Sequence, residues 1–340
     1  MLFMNYLSII DKYSILNTLV MKAMTLLTSS AFMMMAAMVV ALITNFAGLF
    51  PGDVLDAGLR SNLTILTLVV MLTLSMSRIP LQNLNPLKYG KSMARAIFLG
   101  MIVASIIPLV GYLLLKDTEY AAQAAGLVFI AATPFAGSVL PLSIILRGDA
   151  EHAARGTIVI YILSLAWIPF IVWLMLGDSV DMEFLIITVL ELIGVPLVLS
   201  RLLVKLQINK DVLAAFLNCC IFFMVWLSVG ATNFSGNAWW IFLVFVIIAV
   251  LRSFGLGTAV EVTEKRMGIH WGQRVTDILM TSYKNKGVAI ALCVALYPPG
   301  MVAIATSILI EITWVAFMDS VLFSKKRMER ELAAEGDSVL

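Results

Sequence analysis

The fold class that this sequence predicts is an all-α polytopic membrane protein, and three observations carry the prediction. The chain is 61% hydrophobic and 13% charged, with a mean hydropathy of +1.00; a soluble domain carries about a quarter charged residues. Apolar runs of the length a bilayer requires, about 20 residues each, follow one another along the 340 residues, and ten can be counted. Two of the ten are interrupted in the middle by residues that do not suit an unbroken helix.

In chain order, residues 1–24 precede the first run and read as a cytoplasmic or interfacial segment, with 1–20 able to lie as an amphipathic helix at the membrane surface. The first lysine, Lys12, follows an apolar start and no small-residue cleavage site follows it, so no cleavable signal peptide is expected. The spans are then expected at 25–50, 62–77, 94–115, 121–146, 157–176, 184–204, 212–229, 239–260, 275–297 and 302–323, leaving a tail at 324–340. Alternate connections are basic. Arg78, Lys88, Lys91 and Arg95 follow the second span, Arg147 and Arg155 the fourth, Arg201, Lys205 and Lys210 the sixth, and Lys265, Arg266 and Arg274 the eighth. Lys325, Lys326, Arg327 and Arg330 lie in the tail. The opposite connections hold Arg60 and Lys116 beside Asp53, Asp56, Asp117, Glu119, Asp178, Asp181 and Glu183. Positive loops stay in the cytoplasm, so both termini are expected inside the cell (inner) membrane.

A division near Gly177 gives two five-span halves, 25–177 and 178–323. An odd number of spans inverts the second half relative to the first, as in the inverted repeats of secondary transporters. In each half the fourth span is the interrupted one. Residues 130–149, IAATPFAGSVLPLSIILRGD, carry Pro134, Gly137, Ser138 and Pro141; residues 277–299, DILMTSYKNKGVAIALCVALYPP, carry Lys284, Asn285 and Lys286. Proline removes an amide donor and clashes with the preceding turn, and glycine adds backbone freedom. Bare backbone at membrane depth survives only inside protein or beside a wet cavity, so the two breaks are expected to meet and to hold a small molecule. Thr133, Pro134, Gly137, Ser138, Ser282, Tyr283, Lys284, Asn285 and Lys286 are the candidate binding residues.

Ionisable residues at membrane depth face a cavity or a partner. Glu191, Lys284, Lys286 and Glu311 fall there. On an intact helix the two lysines would point about 200° apart, whereas an unwound segment can turn both toward one site. The plainer alternative pairs them with Glu191 or Glu311 to hold the bundle together. Arg252 and Asp277 are expected at a solvated edge. The three cysteines form no disulfide framework, and His152 and His270 read as residues of polar connections with no metal-ligand spacing. No cofactor, metal or nucleic acid is implied. No HExxH, GxSxG or paired catalytic aspartates fall within the spans, so an enzyme is not expected.

Pro134 with the closing Arg147–Gly148–Asp149 resembles the fourth-span pattern P-G-G-x-x-S-N-x-x-T-x-L-A-x-G-D of the bile acid:sodium symporter family, within the bile/arsenite/riboflavin transporter superfamily. Residues 69–84, VVMLTLSMSRIPLQNL, add to the likeness. Ala132–Thr133–Pro134, Asn285, residues 296–300 (LYPPG) and Glu311 look similar to the arsenite permeases of the same superfamily. The resemblance implies a core domain with two crossed, broken helices and a panel domain that moves against it. It also implies secondary transport of a small organic anion, with efflux of a metalloid oxyanion as the alternative. The departures bear on chemistry. The symporters' sodium-binding Ser-Asn pair falls on Val139 and Leu140, and their ninth-span Glu-x-x-x-Gln-Asn falls on Met280, Lys284 and Asn285. The permeases' cysteine falls on Phe135. Apolar side chains offer sodium no oxygen and a lysine repels it, so sodium-independent transport is expected, with Lys284 binding the substrate carboxylate or cycling a proton.

Overall fold

The structure, a computed structural model, describes residues 21, 23–79, 89–234 and 238–335. The expected interfacial segment before the first span lies almost wholly outside them. Among the described residues every regular element is helical, and the one bridge of β type joins Phe135 to Lys284. The helices are α1 (Ser30–Phe46), α2 (Ala57–Ser77), α3 (Gly90–Leu115), α4 (Ala121–Ala132), α5 (Val139–Ile145), α6 (Ala150–Leu176), α7 (Met182–Leu202), α8 (Lys210–Val229), α9 (Trp239–Arg266), α10 (Trp271–Ser282), α11 (Lys286–Leu296), α12 (Met301–Phe317) and α13 (Lys325–Glu335). Seven are long and apolar enough to cross a membrane: α2, α3, α6, α7, α8, α9 and α12 with its flanking turns. A chain built this way is membrane-embedded.

The polar residues between apolar runs set the helix starts. Asp56 accepts from Leu59 N (2.7 Å), Asp149 from His152 N (2.8 Å) and Asp181 from Phe184 N (3.0 Å), each meeting a backbone donor that the helix itself leaves unpaired. Asp149 therefore starts α6 seven residues ahead of the expected span. Four helices carry π turns, at Phe98–Val103, Leu190–Gly194, Leu251–Gly255 and Met318–Leu322.

The helices pack in two groups. α1, α2, α7 and α8 pack on one another, and α3, α4, α6, α9, α10 and α12 form the second group, with α11 lying against α2. Small residues let helices of the second group meet closely. A Cβ on Gly126 of α4 would lie 1.9 Å from the Gly300 carbonyl oxygen, so only glycine allows this approach.

The described part of the tail, up to Glu335, is packed. Helix α13 buries Met328 and Glu331 and is tied by ion pairs to α9 and α10. Arg274 of α10 pairs with Glu331 and with Glu261 (3.2 Å), Arg327 of α13 pairs with Glu261, and Lys265 of α9 reaches Glu331 (2.6 Å). Burial pushes the Glu331 carboxyl up, but the hydrogen bonds from Lys265 and Arg327 and the charge of Arg274 outweigh it and hold it below the usual carboxylate range.

Candidate functional site at the helix crossing

Both interrupted spans break where the sequence places the interruption. Helix α4 ends at Ala132, Thr133 turns extended (φ −72°, ψ 151°), and α5 starts at Val139. Proline disfavours the helical conformation for the residue before it, which is Thr133. Helix α10 ends at Ser282, and α11 starts at Lys286. The freed backbone of each break pairs with the other. Ala136 N donates to the Tyr283 carbonyl (2.9 Å) and Asn285 N to the Pro134 carbonyl (2.8 Å). Two half-helix ends thus satisfy each other's orphan groups inside protein, as backbone away from water must.

Lys284 lies at the centre and is 1% exposed. Its ammonium donates to the carbonyls of Thr133 (2.8 Å), Ala131 (3.1 Å) and Gly100 (3.3 Å), with the Ser105 hydroxyl at 3.4 Å. Ala131 and Thr133 supply carbonyls from the C-terminal end of α4, where the helix dipole is negative. Gly100 lies in the π turn of α3, whose altered hydrogen-bond pattern leaves that carbonyl available. The cage is a set of oxygens around one positive charge, and the charge is covalently tethered.

Lys286 pairs with Glu311 (3.1 Å), which also pairs with Arg252. Arg252 lies in the π turn of α9, 1% exposed, and donates to the Ser282 carbonyl (3.1 Å). Ser282 Oγ accepts from Trp314 Nε1 (2.8 Å). Asn285 caps α11 through Val288 N (3.1 Å) and donates to the Tyr161 hydroxyl (2.7 Å), which donates to the Phe135 carbonyl (3.2 Å). Gly137 and Ser138 are half-buried beside this network. All nine candidate residues therefore meet at one crossing. Lys284, Lys286 and Arg252 bring three basic side chains to it, and Glu311 is the one carboxylate in the ion pairs described there.

Several expectations are corrected. Glu191 is exposed on the π turn of α7 and makes no ion pair among the described residues, so it is no partner of either lysine. The pairing alternative holds for Lys286 with Glu311 and fails for Lys284. Lys284 is not among the residues that line the cavity described below, and its hydrogens are taken by the oxygen cage. Arg252, Asp277 and His152 are 1%, 0% and 1% exposed, and none is solvated at an edge. The isolated charge within the apolar run of α9 was the available signal for Arg252. The closing Arg147–Gly148–Asp149 is a structural joint. Arg147 takes positive φ (57°), a Cβ on Gly148 would lie 2.7 Å from Thr276 Oγ1, and Asp149 N donates to the Gly272 carbonyl (2.8 Å).

A second feature was not anticipated. A cavity of about 420 Å³ opens between the two helix groups, lined by Arg60 of α2, Gln123 of α4, Ser228 of α8 and an apolar wall that includes Leu227, Val294 and Pro299. It lies at the end of the molecule opposite the basic connections. Arg60 is half-buried and holds no carboxylate among the described residues.

The chain matches no protein-family model and no curated protein sequence.

Proposed function

We propose that the chain is a ten-span secondary transporter of a small organic anion, similar to the bile acid:sodium symporter superfamily in plan but working without sodium. The three shorter apolar segments, α1 and the two broken helices, complete the ten spans with the seven long ones. Both termini then lie in the cytoplasm. The two helix groups correspond to the panel (α1, α2, α7, α8) and the core, and they slide to expose the crossing to alternate sides. The observation that carries the reading is the oxygen cage around Lys284. Half-helix carbonyls of this kind are where related carriers hold a coupling cation, and here the cation is a side chain. The surplus of basic groups over carboxylates at the crossing favours an anion as cargo, because an anion there compensates whatever positive charge the site carries away from water. The Arg60 cavity gives such an anion an entrance from outside. Phe135, buried against Tyr161, offers no thiolate to a metalloid.

The test is thermal unfolding of purified protein with sodium replaced by potassium or choline, followed by a screen of carboxylates and oxyanions. Sodium exchange is expected to leave the melting temperature unchanged. A binding anion raises it with the logarithm of its concentration. Stabilisation by micromolar sodium in the unmodified protein would overturn the reading.

A further inference from the structure

We infer that Ser92, Arg95, His152, Glu264 and Asp277 form a binding site for one exchangeable proton, between α3, α6, α9 and α10 at the end that carries the basic connections. Asp277 is fully buried. Its Oδ1 meets His152 Nε2 at 2.8 Å and its Oδ2 meets Arg95 Nε at 3.0 Å. Arg95 NH2 continues to Glu264 Oε1 at 2.8 Å, and His152 Nδ1 lies 2.7 Å from the Ser92 hydroxyl. Two buried carboxylates therefore share one guanidinium, which leaves one negative charge over. A proton on His152 cancels it.

The geometry accepts both states without rearrangement. A carboxylate at Nε2 requires that nitrogen to carry its hydrogen, so the variable position is Nδ1. The Ser92 hydroxyl donates to Nδ1 when the ring is neutral and accepts from it when the ring is charged, since a hydroxyl has one donor and two acceptor sites. Glu264 Oε2 and Asp277 Oδ2 are buried without a well-formed hydrogen-bond donor, so a positive charge on the ring falls beside acceptors that lack one.

Charged groups around the site are engaged elsewhere. On α6, Asp149 caps the His152 amide, and Arg155 pairs with Glu151 (3.0 Å) and stacks on Tyr89 (4.0 Å). On α9, Glu261 is taken by Arg274 and Arg327; on α10, Arg274 also turns to Glu331 of α13. Ser92, half-buried in the first turn of α3, is the way in. Its oxygen takes a proton from hydronium as its own hydrogen passes to Nδ1; one hydronium O–H and the serine O–H break, a new serine O–H and the N–H form, water is left, and no electrons change hands. The site stands at the base of α10, whose last turn opens into the crossing. As a coupling site it rests on the carrier reading above; as a proton site it does not.

The chain has two histidines, His152 and His270, so ¹⁵N-histidine labelling of the whole protein in nanodiscs gives two ring systems, and His270→Gln leaves one. The His152 Nδ1 resonance is expected to pass from neutral imidazole to imidazolium on acidification within the range in which the whole protein stays folded. Asp277→Asn is expected to weaken proton binding about tenfold or more, because it removes the carboxylate on the ring; Glu264→Gln acts in the same direction with a smaller shift, and serves where Asp277→Asn does not fold. A His152 resonance that stays constant through that range, or one that titrates identically in both variants, overturns the proposal and leaves the cluster a fixed ionic brace. Titration without any anion stabilisation in the screen above removes the carrier reading alone; anion stabilisation without titration removes the proton site alone.

Discussion

The two interrupted helices break for different physical reasons. Between α4 and α5 the break is set by covalent geometry: Pro134 has no amide hydrogen and forces Thr133 extended, and Ser138, the residue before α5, makes no side-chain cap. Between α10 and α11 neither proline nor glycine lies in the break. Tyr283 and Asn285 leave helical conformation (φ −124°, ψ 90°; φ −76°, ψ 89°) because tertiary partners outbid the helix. Lys284 enters the oxygen cage, Asn285 caps α11, and the backbone pairs with the first break. The first interruption is a local property of its residues; the second exists because the first is there to meet it.

That difference ranks the substitutions. Lys284→Met leaves the Thr133 and Gly100 carbonyls buried without the ammonium that meets them, while Ala131 keeps the Ser105 hydroxyl (2.6 Å). At about 1–3 kcal/mol for each unsatisfied buried group, it is expected to destabilise by about 3 kcal/mol or more. Pro134→Ala is expected to cost about 1 kcal/mol or less, since the crossing still holds Thr133 extended. Thermal unfolding of the two variants checks the order, and a larger loss for Pro134→Ala would mean that the proline, not the lysine, holds the crossing together. Next comes the cap. Asn285→Ala removes a hydrogen bond to Val288 N and one to Tyr161 and is expected to cost about 1–2 kcal/mol. Ser138→Ala, at the uncapped start of α5, should cost less than about 0.5 kcal/mol. Equal losses for the pair would erase the contrast between the breaks.

The same contrast explains what was legible in the sequence. The first break is written in Pro134 and Pro141, and the helical class and the long spans are written in the apolar runs. The second break was marked only by charges in an apolar run, which identified Lys284, Asn285 and Lys286 without giving their partners. A lysine at i and another at i+2 say nothing of whether one meets Glu311 and the other a ring of carbonyls; that depends on a π turn in α3 nearly two hundred residues away. His152 and Asp277 were placed wrongly for a related reason. Each stands near a connection, where exposure is the ordinary expectation, and their burial follows from α3 and α9 converging on the base of α10. The Arg60 cavity lies between segments remote in sequence and leaves no local trace.

The arms leading to the breaks differ as well, and acid should separate them. Helix α10 is braced at its base by Arg274 on Glu331, whereas α5 is joined to its neighbour by the backbone bond from Asp149 to Gly272. The folded-state pKa of Glu331 is depressed. Its contribution is therefore fully present above the unfolded carboxylate value of about 4.3 and is lost as pH falls through the lower folded value. Hydrogen exchange of whole protein across that window is expected to loosen α13 and the first turn of α10 while leaving α4 and α5 unchanged. Glu331→Gln should give the loosened pattern already at neutral pH. Uniform loosening of both arms would show that the ion pairs do not distinguish them.

The smallest effect is expected at Gly137, the glycine of the first break. Its φ is not in the left-handed region, which among the described glycines is reached by Gly48, Gly177 and Gly268. The interruption therefore does not use the conformational freedom that glycine supplies; Pro134 and the backbone pairing suffice. A Cβ built there meets Tyr161 Oη at 3.5 Å, Ser75 Oγ at 3.6 Å and Leu72 Cδ2 at 3.7 Å, which are ordinary contact distances. Gly137→Ala should then change stability by no more than about 0.5 kcal/mol. Gly287→Ala, in the first turn of α11, brings a Cβ within 3.0 Å of Leu68 Cδ1 and should cost somewhat more as that side chain gives way. Ser75, Leu72 and Leu68 all belong to α2, in the opposite helix group. Both substitutions thus fill the seam along which the proposed carrier slides, and melting temperatures measured side by side read the difference. A loss at Gly137 that exceeds the loss at Gly287 would mean that the first break needs a glycine after all, and that its geometry is less local than Pro134 suggests.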